Sequence, residues 1–207
     1  MKKKKLRLNY TVPLVPKNIK ELAPYTPGKT VEKVQRELGL TDICKLASNE
    51  NPLGPSRLAI AAVEKCLKDS NRYPDSDGFE LRSKLADLFG VKMGNVVLGA
   101  GSEGIMATIM RTFLLPEDEI ITAANSFIGF TVLVRASGRR VHWVPMRDHR
   151  YDLEAMASLI NETTKIIYLA NPDNPMGTYV TVDEFDNFME QVPDRVLIIM
   201  DEAYFEF

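Results

Sequence analysis

With 207 residues, 45% hydrophobic and 26% charged, the chain has an ordinary globular composition and enough length for one sizeable core. A net charge of -2 gives no general footprint for nucleic acid, and no apolar run forms a signal-peptide core or a membrane span. Neither partner is therefore expected, the expected location is the cytoplasm, and Cys44, Cys66, His142 and His149 lack the spacing of a metal site.

The N-terminal stretch to about residue 30 is rich in Lys and Pro. Lys2 to Lys5 reads as a solvated tail, and Pro13, Pro16, Pro24 and Pro27 argue against regular structure, so an extended arm is expected. A short helix should follow over Val31 to Leu38, which sets an arm-and-helix segment at 1–44 apart from a domain at 45–207. The run Lys45 to Ser56 clusters Asn, Pro and Gly too densely for a strand or helix. It should be an ordered loop leading into a helix capped near Ser56, with Leu58, Ile60, Ala61, Val63 and Leu67 turned inward to about Ser70. Arg72-Tyr73-Pro74-Asp75 is again irregular, and Phe79 to Leu88 carries leucines at helical spacing.

From Asn95 the pattern alternates strand and helix, which predicts βαβ units, a mostly parallel sheet and a three-layer α/β/α architecture. Strands are expected at Val96 to Leu98, Glu119 to Ala123, Arg140 to Val144, Lys165 to Ala170 and Val196 to Met200. Helices should fill the gaps at Ser102 to Leu114, Phe127 to Ala136, Leu153 to Ile160 and Val182 to Glu190. Asp152 is a plausible cap, and Thr181 with Glu184 forms a capping-box pattern. His142 falls inside a strand as a structural histidine, and His149 in a polar loop as a solvated one.

The chemistry gathers where strands end. Gly99-Ala100-Gly101-Ser102-Glu103-Gly104 opens a helix, so its unpaired amides and the helix dipole make a phosphate cradle. Its G-x-G-x-x-G pattern also fits a dinucleotide site, but that fold wants an acid after the next strand. The chain has Ala124, Asn125, Ser126 and Phe127 there, which favours a smaller phosphorylated cofactor. Phe127 could stack on a flat ring, and Asn174 presents an amide between two prolines in Asn171 to Gly177. The apolar run Val196 to Met200 ends abruptly on Asp201, with Tyr204 three residues later, and a carboxylate there could hold a protonated ring nitrogen. A phosphate cradle, an aromatic face, an amide and a carboxylate with a phenol form the inventory for pyridoxal 5'-phosphate.

These stretches, with Ser48 to Ser56 and Arg72 to Asp75, fall in an order and spacing that resembles the fold-type I, class I/II aminotransferases, within them the histidinol-phosphate type. The resemblance covers about Leu46 to Phe207 and implies the large domain of a pyridoxal-phosphate transferase. It implies that the backbone of Ser102 and Glu103 binds the cofactor phosphate and that Phe127 stacks on the pyridine ring. Asn174 and Tyr204 would hydrogen-bond the ring's 3'-oxygen, and Asp201 would pair with the ring nitrogen. Tyr73 would reach the phosphate of the neighbouring subunit in a homodimer. The implied activity moves an amino group between glutamate and imidazole acetol phosphate, a step of histidine biosynthesis on small amino-acid substrates.

The family's Schiff-base lysine, its phosphate-binding and substrate-binding arginines and its small C-terminal domain have no counterpart in the 207 residues. The expectation is a fragment without a catalytic base that does not turn over alone. Two alternatives stay open: a non-catalytic remnant that holds cofactor or a partner subunit, and a related aminotransferase or threonine-phosphate decarboxylase. Met176, where relatives usually carry Thr, is a smaller departure.

Overall fold

The computed structural model describes residues 13–23 and 28–207; the Lys2 to Lys5 tail, Pro24 and Pro27 lie outside the described residues. The chain divides into two compact units, Thr26–Leu98 and a second built from Met1–Tyr25 with Gly99–Phe207.

The Gly99–Phe207 unit holds a four-stranded sheet of β1 (Glu119–Ala123), β2 (Arg140–Val144), β3 (Thr164–Ala170) and β4 (Leu197–Asp201). Its order is β2-β1-β3-β4 and every pairing is parallel. The near-continuous burial of β1 and β3 follows from this, because a central parallel strand is covered on both faces. Alternation along β3 divides the core. Ile166, Tyr168 and Ala170 face α5 (Gly101–Phe113) and α6 (Ile128–Ser137), packing on Met106, Met110, Phe130 and Val134. Ile167 and Leu169 face α7 (Leu153–Ser158) and α8 (Val182–Met189), packing on Met156 and Phe188. The expected α/β/α layering is thus present, and each fully buried Ile or Phe contributes roughly 1.5–3 kcal/mol.

Both expected caps form. Asp152 accepts from the Ala155 amide, and Thr181 and Glu184 make a reciprocal capping box. At the opposite end of the sheet from the strand carboxyl ends, buried Glu119 accepts hydrogen bonds from Asn161 Nδ2 (3.0 Å), His142 Nε2 (2.6 Å) and Arg140 Nη1 (3.0 Å). His142 is therefore satisfied structurally, as expected, and its partners hold the Glu119 carboxyl down at about 2, with the Asn161 hydrogen bond the largest cause.

The N-terminal arm is less irregular than its prolines suggest. Pro16 precedes a single helical turn, α1 (Lys17–Lys20), and Asn18 Nδ2 donates to the Ala136 carbonyl at the end of α6 (2.8 Å).

The Thr26–Leu98 unit contains α2 (Val31–Leu38), α3 (Arg57–Cys66) and α4 (Phe79–Phe89). Asn51 orders the preceding loop, accepting from the Leu53 amide and donating to the Gly54 carbonyl. Three expectations fail here. Ser56 occupies the position before α3 but makes no side-chain cap. The apolar face of α3 is exposed, with Leu58 84% and Val63 60% accessible, because Ala86 is the only buried apolar residue of this unit among those described. Val96 to Leu98 forms no strand: Val96 is extended, but its carbonyl accepts from Arg82 Nε (3.0 Å) instead of from a ladder neighbour.

Candidate active site

After β1 the chain crosses to β2 on one side, whereas after β3 it crosses to β4 on the other. The loops leaving the adjacent strands β1 and β3 therefore part, and open α/β sheets bind ligands in the crevice so formed. A cavity of about 120 Å³ lies there, lined by Ser102 at the start of α5, Phe127 beyond β1, Ala170, Pro172 and Asn174 at the end of β3, and Asp201, Ala203 and Tyr204 at the end of β4. Five residues singled out from sequence, Ser102, Phe127, Asn174, Asp201 and Tyr204, thus line one cavity. Glu103 follows Ser102 in the same helical turn without lining it, and Tyr73, fully exposed, belongs to the other compact unit.

Asp201 is the last residue of β4 and half-buried. Its Oδ2 accepts from the Tyr168 hydroxyl (2.9 Å) and its Oδ1 from the Ala203 amide (3.3 Å). Tyr168 is fully buried, stacked on Phe130 with ring centroids 3.8 Å apart. Burial, and then the Asp201 charge, push the phenol well above its ordinary range, so it remains a donor to the carboxylate.

No side chain caps α5, and the backbone at Gly101 takes φ +69°, a left-handed conformation that glycine adopts without strain. Among the described residues the amides of Ser102 and Glu103 take no backbone partner, so the helix start offers two donors and its positive dipole end.

The Phe127 ring rests against the first turn of α6, where a Cβ on Gly129 would come within 2.6 Å of it. The amide of Asn174 takes no partner among the described residues, although its neighbour Asp173 is buried and heavily bonded. The Met176 amide is one of those donors, to Asp173 Oδ2 (3.2 Å), so the unusual methionine enters the loop's bonding through its backbone. Both X-Pro bonds of this loop, Asn171-Pro172 and Asn174-Pro175, are cis.

A larger cleft of about 410 Å³ separates the Arg147 to Glu154 segment from α8. Both of its arginines are paired within it, Arg147 to Asp152 at 2.6 Å and Arg150 to Glu184 at 2.7 Å. The smaller cavity is the better candidate, since it alone of the two joins an uncapped helix start to a carboxylate.

Residues 41–207 match the family model for aminotransferase class I and II. The chain belongs to the class I and II aminotransferase family. It is 43% identical over 194 residues to histidinol-phosphate aminotransferase 2 of Carboxydothermus hydrogenoformans, covering 94% of this chain and 54% of that one. A histidinol-phosphate aminotransferase of Anaeromyxobacter sp. is 42% identical over 197 residues, again covering 54% of the relative. The crystal structure of histidinol-phosphate aminotransferase from Sinorhizobium meliloti in complex with pyridoxal-5'-phosphate superposes with a TM-score of 0.83 at 27% identity, covering 95% of this chain and 53% of that one. The chain thus spans about half the length of the relatives it matches.

Sequence reasoning missed four residues around this aminotransferase-family cavity. Tyr168 had a signal, because a phenol inside a buried apolar strand needs a polar partner. Gly129, Tyr151 and Asp173 act through contacts that no local pattern encodes.

Proposed function

We propose that the chain carries the cofactor-holding part of a histidinol-phosphate aminotransferase, and that its cavity takes pyridoxal 5'-phosphate. The carrying observation is the uncapped start of α5 in one cavity with a carboxylate held by a buried phenol. This donor set fits the cofactor, with an anion site for the phosphate and a fixed negative charge for a protonated ring nitrogen. Bound there, the cofactor supplies an electron-poor ring that accepts electrons released at the α-carbon of an amino-acid substrate.

The chain's residues divide the remaining work. The Ser102 and Glu103 amides hold phosphate, the Phe127 ring covers one face, and Asn174 and Tyr204 hydrogen-bond the 3'-oxygen. Asp201 keeps the ring nitrogen protonated. In a homodimer, Tyr73 reaches the phosphate of the neighbouring subunit. The whole protein moves an amino group between glutamate and imidazole acetol phosphate, in the cytoplasm; among the described residues no helix is long and apolar enough to cross a membrane.

Among the described residues no lysine lines the cavity. The 207 residues therefore hold the cofactor reversibly and do not turn over by themselves, which also favours a cofactor-holding, non-catalytic role as the second reading.

Titration of the purified chain with pyridoxal phosphate, followed by borohydride reduction and intact mass, tests the proposal. The expected result is a saturable absorbance change without a lysine adduct, and an Asp201→Asn variant that binds about tenfold or more weakly. A stoichiometric adduct on one lysine would overturn the reversible holding, and absence of binding would overturn the cofactor.

A further inference from the structure

The loops beyond β1 and β3 are joined beneath the cavity by side chains that the cofactor does not need to touch. Ser126 Oγ donates to Asp173 Oδ1 at 2.6 Å and lies 2.6 Å from Tyr151 Oη. Tyr151 Oη is 3.1 Å from the same carboxylate oxygen and accepts the Ala170 amide at 2.9 Å. Asp173 Oδ2 accepts the Met176 amide. All three residues are buried: Ser126 8%, Tyr151 8% and Asp173 3% accessible.

Two hydroxyl protons serve three oxygen contacts. Ser126 and Tyr151 each reach Asp173 Oδ1 with a hydroxyl, and either hydroxyl can donate across the 2.6 Å contact between them, so the three side chains close a hydrogen-bonded network. Burial raises the Tyr151 phenol above its ordinary range, which keeps it protonated as a donor in the network. Two members of the network are each one residue from a cavity-lining side chain: Ser126 precedes Phe127, and Asp173 precedes Asn174. Tyr151 also fixes Ala170, itself a lining residue.

We propose that Tyr151, Ser126 and Asp173 are positioning residues, which lock the β1 and β3 loops together so that the Phe127 ring and the Asn174 amide are presented at a fixed separation to the flat ligand. This rests on the cavity being the cofactor site, yet its first consequence, loop locking, holds with no ligand present. A buried network with every member bonded confines its loops to one geometry, and a half-satisfied one does not.

The experiment compares wild type, Tyr151→Phe and Ser126→Ala by amide hydrogen exchange without ligand, and by pyridoxal phosphate titration followed by absorbance. Exchange is expected to rise about tenfold in both 124–127 and 171–177 in each variant, with the amides of α7 and α8 unchanged. Faster exchange in only one loop, or a uniform rise that tracks the unfolding midpoint, would overturn the coupling and leave a plain stability role. In the titration, Tyr151→Phe and Asn174→Ala each weaken binding, and the double variant falls short of the product of the two effects. Full multiplicativity would equally overturn the positioning role. Wild-type chain that binds no pyridoxal phosphate would refute the proposed function alone, because the exchange measurement still decides whether the loops are locked.

Discussion

The Tyr168 hydroxyl and Asp201 Oδ2, 33 residues apart in sequence, meet at 2.9 Å across neighbouring strands β3 and β4. One carboxylate oxygen is thereby committed to a buried phenol. Tyr168→Phe keeps the stack on Phe130 and removes only this bond to a charged acceptor, so unfolding stability should fall by about 1.5–3 kcal/mol. Urea unfolding measures it, and an unchanged midpoint would mean the bond is worth nothing in place.

Glu119 gives the fold an acid-sensitive element. Its folded carboxyl titrates at about 2 against an ordinary 4.5, so its contribution is complete above about 4.5 and is lost as pH falls toward 2. Glu119→Gln should be less stable than wild type at neutral pH, with the gap closing through that window. Thermal midpoints from pH 2 to 7 check this; parallel curves for the two proteins would contradict it.

Gly129→Ala sets two effects against each other. Helix propensity favours Ala by less than the ~1 kcal/mol of a helix interior, because Gly129 sits in the first turn of α6, whereas the new Cβ would lie 2.6 Å from the Phe127 ring. The ring must move out of its seat, so pyridoxal phosphate should bind about tenfold more weakly. The same titration reports it, and unaltered affinity would show that the ring position is immaterial.

Thr181→Ala removes half of a capping box and should cost about 1 kcal/mol, while Thr181→Ser should recover most of it. Urea midpoints of the pair separate the hydroxyl from the methyl group.

Sequence pattern revealed the elements whose cause is local. The β1 and β2 boundaries, the Asp152 and Thr181 caps and the strand-end positions of Phe127, Asn174 and Asp201 follow from periodicity and turn chemistry within a few residues. What stayed hidden depends on partners elsewhere. Val96 to Leu98 looks like a strand until Arg82 takes a carbonyl, and the apolar face of α3 looks like core although no described layer covers it. The Ser126 to Asp173 contact spans 47 residues, and neither residue belongs to an apolar period. Tyr168 was legible in principle, as a phenol inside an apolar run.

Strand β3 carries a further consequence. Its even-numbered side chains, Ile166, Tyr168 and Ala170, face α5 and α6, and its odd-numbered Ile167 and Leu169 face the other way. Sliding β3 by a single residue against β4 would still put apolar side chains into both layers, since every residue from Ile166 to Ala170 except the tyrosine is wholly apolar. It would nevertheless reverse the parity of the phenol, sending its hydroxyl into the α7 and α8 layer and leaving Asp201 without it. The apolar pattern alone does not forbid that slip, and the tyrosine is the polar mark that tells the two alignments apart.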